Sequence, residues 1–280
     1  MDLGLLWILV VAIVLMAGFV QGLVGFGSGL VMVPVLVLLI EPKVLIPAVL
    51  VHGLIMNEIL AIEARRHIQA GRVAPILLGG IVGLPLGTYL LVILSPDVIK
   101  VMIGTVIVVF GLILLSGRSF RIKREKLYTV PIGLVSGLLN GSVSMSGPPV
   151  ILFFANQNIP KKNFRANTVT YFFFLNVATL FIFTIVGLIT RDVLVLAGVS
   201  LPFALLGIYI GTKASKVVNE KVFRRIALIL VSLAGLVSLI GGIVALVNRI
   251  YRVGAGDPPP SGETAHPTGM PLLRELPRAD

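Results

Sequence analysis

Two short stretches hold the residues of this chain best suited to binding a ligand. Gln21-Gly-Leu-Val-Gly-Phe-Gly-Ser-Gly29 places four glycines in nine residues, and Asn140-Gly-Ser-Val-Ser-Met-Ser-Gly-Pro-Pro149 combines two glycines, three serines and two prolines. Glycine lets a backbone leave helical geometry cheaply and proline forces it to, so each stretch predicts a helix break. A half-helix that begins at such a break presents free N–H groups and a partial positive charge, which suits an anion. Ser28, Ser142, Ser144 and Ser146 add hydroxyl donors, Asn140 an amide, and Gln21 a second amide opposite it. Gly25, Phe26, Gly27, Gly29, Gly141 and Gly147 complete the candidate substrate-binding set. Neither break contains Lys or Arg, so neutral dipoles would hold the anion, which favours its release as well as its binding.

Ionisable groups within apolar runs are costly in lipid and therefore point to function. His52 and Glu58 are the two proton-coupling candidates, His52 because imidazole titrates near neutrality. The bland alternatives are a hydrogen-bonded histidine between helices, and a Glu58 paired at the surface with Arg65 and Arg66. Asn57, Asn167 and Asn176 read as hydrogen-bonding glue between helices rather than as ligands. The spacings Gly79/Gly83/Gly87, Gly133/Gly137/Gly141 and Gly207/Gly211 read as close-packing seams. No GxSxG or HExxH signature occurs, and His52, His67 and His266 are too scattered for a metal site, so neither an enzyme nor a cofactor is expected.

The elements that must position these residues follow from composition. With 57% of residues apolar, 12% charged and a mean hydropathy of +1.05, the chain is built for lipid rather than water. The net charge of +11 sits in short basic clusters between apolar runs, where it orients helices and gives no nucleic-acid surface. Eight runs approach or exceed the roughly 20 residues of a membrane crossing. They are Leu5–Ile40, Leu45–Ile62, Val73–Leu94, Val98–Leu115, Val130–Ala155, Thr168–Ile189, Val193–Thr212 and Val222–Val247. None alternates as barrel strands do. The first run shows no small-residue cleavage site, which argues against a removable signal peptide. Residues 1–247 read as one transmembrane domain, and 248–280 as a Pro/Gly-rich, disordered C-terminal tail. With no Cys in the chain, disulfides are excluded.

The halves resemble each other, one over about 5–115 and the other over about 130–247. Gly83-Leu-Pro-Leu-Gly87-Thr88 recurs as Gly207-Ile-Tyr-Ile-Gly211-Thr212, and Gly22 with Pro34 parallels Gly137 with Pro149. Leu5–Ile40 would extend about 54 Å as one helix, far more than one crossing requires, so a pair of short helices meeting at the break is expected there. If every run crosses once, Lys and Arg divide eleven against ten between the two sides. If both broken runs re-enter, the division is sixteen against five. Because cytoplasmic loops carry excess Lys and Arg, the expectation is an all-α polytopic membrane protein with two inverted repeats, each a broken re-entrant helical hairpin plus three transmembrane helices. Both termini would then lie outside, with basic loops 63–72, 116–129, 156–167 and 213–221 in the cytoplasm.

The residues Gln21–Gly29 with Pro34, Arg65-Arg-His-Ile-Gln-Ala-Gly-Arg72 followed by Gly83–Gly87, and Asn140–Pro149 with Phe164-Arg-Ala-Asn167 carry a resemblance to the TauE/SafE family of sulfite and sulfonate exporters over about residues 10–247. The resemblance implies a plasma-membrane secondary transporter for sulfite, an organosulfonate or a related small anion, proton-linked and without a prosthetic group. Its partners are then the anion and the lipid bilayer, with the oligomeric state left open. A membrane accessory or assembly protein whose breaks serve packing, and a passive anion channel, are the alternatives.

Overall fold

A computed structural model describes residues 3–115, 125–155, 157 and 159–217; the expected eighth run, the tail, and parts of loops 116–129 and 213–221 lie outside the described residues. The described residues are helical and contain no strand. The first broken run forms α1 (Leu3–Val24) and α2 (Ser28–Leu36), followed by α3 (Pro42–Ala64), a 3-10 turn over Arg65–His67, α4 (Ala70–Ile93) and α5 (Pro96–Leu115). The second broken run forms α6 (Glu125–Val143) and α7 (Gly147–Ala155), followed by α8 (Lys161–Ile185) and α9 (Arg191–Val217). Five of these helices, α1, α3, α4, α8 and α9, are long and apolar enough to cross a membrane.

Each break falls where the residue types require it. α1 stops at Gly25, whose φ of 90° is open to glycine at little cost, and α2 starts after Gly27 at φ 102°. α6 stops at Ser144, which holds φ 51° without being glycine. The limbs are unequal, which corrects the expectation of two short helices. α1 has 22 residues and α6 has 19, whereas α2 and α7 have nine each. At 1.5 Å per residue the long limb reaches about 30 Å and the short one about 13 Å: the first limbs take in the residues before each run, α6 from Glu125, whereas α2 stops at Leu36, short of Ile40.

Two glycine seams hold the bundle. A methyl on Gly18 would meet the Ala204 carbonyl oxygen, and one on Gly22 the Ile208 carbonyl oxygen, so α1 and α9 run parallel with their backbones touching. Gly79, Gly83 and Gly87 stand in the same relation to Val130, Leu134 and Leu138, making α4 and α6 parallel as well. Side chains absent from these seams point the other way: Leu78, Val82, Leu86, Tyr89 and Ile93 on α4 form an exposed apolar stripe that only lipid would solvate. α3 and α8 pack together and run antiparallel. The His67 carbonyl, just past α3, accepts from Asn163 at the start of α8, while Gly53 within α3 faces Asn176 further along it. Exchanging α1 with α6, α3 with α8 and α4 with α9 turns the α1–α9 pair into α6–α4 and returns the α3–α8 pair to itself.

The basic segments meet on one face of the bundle. Arg165 donates to the Gly22 carbonyl (2.8 Å) and the Ser215 hydroxyl (2.9 Å), and Glu63 lies 3.9 Å from Arg165 and 3.7 Å from Lys216. Arg72 donates to Gln157 (2.6 Å), and the Asn167 side chain bonds Gln69 twice. At the opposite end, Lys43 donates to the Val92 carbonyl. The segments expected as loops 156–167 and 213–221 are in large part helix: α8 takes in Lys161–Asn167 and α9 runs on to Val217. Their basic residues ride on helix ends, where contacts with other helices supply what hydropathy does not.

Candidate functional site

Between the two breaks lies a cavity of about 50 Å³. At roughly 10–15 Å³ per water this is room for about four waters, the scale of a small anion. Gln21, Gly27, Ser28 and Gly29 line it from the first break, and Asn140, Ser144, Ser146 and Gly147 from the second. Asn57 on α3 and Asn176 on α8 close it laterally, and Leu30, Val49, Leu50, Met145 and Phe172 provide apolar walls. Among the described lining residues none is charged.

The polar walls are built twice on one plan. Gln21, in the last turn of α1, donates through Nε2 to Asn57 Oδ1 at 2.7 Å and accepts from the Ser28 backbone N–H at 3.1 Å. Asn140, in the last turn of α6, donates through Nδ2 to Asn176 Oδ1 at 3.2 Å and to Thr179 Oγ1 at 2.8 Å. In each half the two amides stand 36 residues apart. The displacement that carries Gln21 onto Asn140 also carries Asn57 onto Asn176, Gly25 onto Ser144 and Ser28 onto Gly147. The expected register, Gly22 on Gly137 and Pro34 on Pro149, is therefore one helical turn out: Gly18, not Gly22, corresponds to Gly137. Glycines four residues apart fit either alignment, and only the packing decides between them. The register Gly83 on Gly207 agrees with the contacts, since Gly83 rests on Leu134 and Gly207 on Leu15 and Phe19.

Ser144 bridges the breaks to α3. Its hydroxyl donates to the Ile46 carbonyl at 3.1 Å, and its own carbonyl oxygen is the atom a methyl on Gly29 would strike. Only glycine at position 29 therefore lets the two breaks touch. Ser136 steadies the second break by donating to the Ser146 carbonyl at 2.7 Å.

The remaining members of the expected set stand outside the cavity. Gly25 packs against the stem of Arg165, and Phe26 meets Phe164 edge-on with centroids 6.5 Å apart. Gly141 rests on α4 at Leu84 and Thr88, and the Ser142 hydroxyl turns back to the Leu138 carbonyl at 2.8 Å. Glu58 is exposed on α3. His52 is buried one residue before Gly53, with Nδ1 2.7 Å from the Ala48 carbonyl and Nε2 3.0 Å from the Ser200 hydroxyl of α9. Because a carbonyl can only accept, Nδ1 carries a proton. Nε2 can then accept from Ser200 or, once protonated, donate to it while Ser200 donates to the Leu196 carbonyl. Both protonation states are satisfied. Asn57 and Asn176, read from the sequence as glue, line the cavity; their equal spacing from Gln21 and Asn140 was the signal that could have shown it.

No curated protein and no solved structure matches the chain. A family model described as sulfite exporter TauE/SafE matches residues 10–238, which take in both breaks, both glycine seams and every polar wall of the cavity. With five helices able to span a bilayer, the chain is a multi-pass membrane protein that belongs to the sulfite exporter TauE/SafE family of transporters.

Proposed function

We propose that this protein is a secondary transporter carrying a small anion across the cell membrane through the cavity between its two breaks, with a proton as the coupling ion. The observation that carries the reading is the pair of amide walls, Gln21–Asn57 and Asn140–Asn176, which converge from equivalent positions on one uncharged cavity. Neutral donors suit a cargo that must leave as readily as it enters. The antiparallel pairing of α3 with α8 supports two inverted repeats. If each broken run crossed once, α3 and α8 would run in the same direction, so the antiparallel pair favours re-entrant hairpins. The meeting of Arg65–Arg72, Lys161–Arg165 and Lys213–Lys216 on one face agrees with that topology, and the positive-inside bias assigns the face to the cytoplasm.

His52 is the coupling group in this reading. It ties α3 to α9 beside the cavity and has bonding partners in both protonation states. The test is uptake of sulfite and small sulfonates into liposomes holding the purified protein, with and without an imposed pH gradient. Gradient-driven accumulation that His52→Gln abolishes, while binding persists, is the expected result. Equal flux in both directions regardless of gradient would make the protein a channel, and no anion-dependent signal would favour an assembly role.

A further inference from the structure

The two helix ends that face the cavity are not equivalent. α2 opens with Ser28, Gly29 and Leu30, all of which carry an N–H, whereas α7 opens with Gly147, Pro148 and Pro149, of which only the first does. Proline has no N–H, and the positive end of a helix resides in its unsatisfied N–H groups. The preceding residues sharpen the difference. Gly27 has no side chain with which to cap α2, and of the first three amides only that of Ser28 is taken, by Gln21. Ser146 occupies the equivalent place before α7, but a capping hydroxyl needs the second or third N–H of its helix, and both positions are proline.

The hydroxyls of Ser28 and Ser146 provide a second, independent observation. Both residues are 6% exposed and line the cavity, and among the described residues neither hydroxyl has a protein hydrogen-bond partner. Both hydroxyls therefore open on the cavity itself, where a bound ligand can take their hydrogen bonds.

Resting on the transport reading above, we propose that the cavity is polar along its length: the Ser28–Leu30 end of α2 holds the charged head of the anion, and the Ser146–Pro149 end of α7 receives its neutral pole. Pro148 and Pro149 are then the specificity determinants. They remove the second set of donors that a compact doubly charged oxyanion needs, so the favoured cargo is a singly charged oxyanion with a small neutral substituent. Ser146 reads that substituent as a hydrogen-bonding group, and Met145 and Phe172 line the apolar space around it.

The experiment measures binding of methanesulfonate, hydroxymethanesulfonate and sulfate to the purified full chain, by thermal stabilisation and by competition. The wild type is expected to prefer methanesulfonate to sulfate at least tenfold, on the order of one kcal/mol and above. Pro149→Ala restores one N–H to α7 and should raise sulfate affinity at least threefold, leaving methanesulfonate unchanged; Pro148→Ala repeats the test should the first variant aggregate. Ser28→Ala should weaken all three anions about tenfold, and Ser146→Ala only hydroxymethanesulfonate. Anion binding with an unchanged sulfate-to-methanesulfonate ratio in both proline variants, or equal losses from the two serine variants, overturns the polarity while leaving the transport reading intact. Binding of none of the three anions overturns both.

Discussion

The glycine seam between α4 and α6 allows a test in which one chemical change, the addition of a methyl, has opposite outcomes at two sites. A methyl on Gly83 would strike the Leu134 carbonyl oxygen and stand 2.9 Å from the Leu138 nitrogen, both backbone atoms that cannot swing aside. Approaches under 3.0 Å force a shift, so α4 and α6 must part by close to an ångström along the whole seam, because Gly79 and Gly87 share it. Overpacking of this kind costs about 1–3 kcal/mol, and the parting also weakens the close backbone attractions across the seam. At about 2–4 °C per kcal/mol, Gly83→Ala should lower the melting temperature by about 2–12 °C. At Gly198 on α9 nothing lies within 4 Å, so Gly198→Ala meets open space and gains up to about 1 kcal/mol of helix propensity. Its melting temperature should hold or rise. The assay is thermal unfolding of the detergent-purified variants, followed by the fluorescence of Trp7, with size-exclusion profiles recorded alongside. Equal shifts at the two sites, or a loss of anion affinity in Gly83→Ala at unchanged melting temperature, would refute the assignment of this seam to packing.

Four further outcomes are expected. Asn140→Ala breaks the bonds to Asn176 and Thr179 and should weaken anion binding by about 1–3 kcal/mol, roughly 5- to 150-fold, whereas Ser142→Ala, whose hydroxyl turns to Leu138, should leave the affinity alone in the same titration. Arg165→Ala strands the Gly22 carbonyl and should destabilise the fold by about 1–3 kcal/mol. Glu63→Gln, at a carboxylate that is itself 39% exposed and 3.7–3.9 Å from its partners, should cost under about 1 kcal/mol by the same melting assay. Single cysteines at Lys161 and Lys213 should be shielded from an impermeant thiol reagent added to intact cells while one at Lys43 reacts; labelling at Lys161 would refute the re-entrant topology.

Much of this architecture is legible in the residue types alone. Gly25 and Gly27 announce a break because few other residues take their φ, and the α4 and α9 glycines recur at spacings that permit backbone contact. What the types hide is governed by packing. Lys161–Asn167 scores as a polar loop, yet Arg165 finds partners on α1 and α9, Asn163 and Asn167 find theirs on the turn between α3 and α4, and the segment stays helical. The register of the first repeat block is concealed by its own periodicity, since Gly18 and Gly22 are interchangeable in sequence and differ only in which of Ala204 or Ile208 they meet. Ser142 and Ser144 look alike as residue types. One sits in the last helical turn and bonds its own helix, the other has left the helix at φ 51° and reaches α3.

The crossing of partners between halves has a consequence for how the chain is made. α1 is synthesised first, but the helix that covers its Gly18 and Gly22 is α9, far along the chain, whereas α4 finds α6 almost at once. At roughly 5–20 residues per second of synthesis, α1 waits on the order of ten to forty seconds in the bilayer with its glycine face uncovered. During that interval another small-residue helix, including the α1 of a second nascent chain, can occupy the seam. Assembly of this fold is thus a race between the ribosome reaching α9 and the lateral encounter of unfinished copies, and slowing translation after α6 should cost yield before it costs anything in the finished protein.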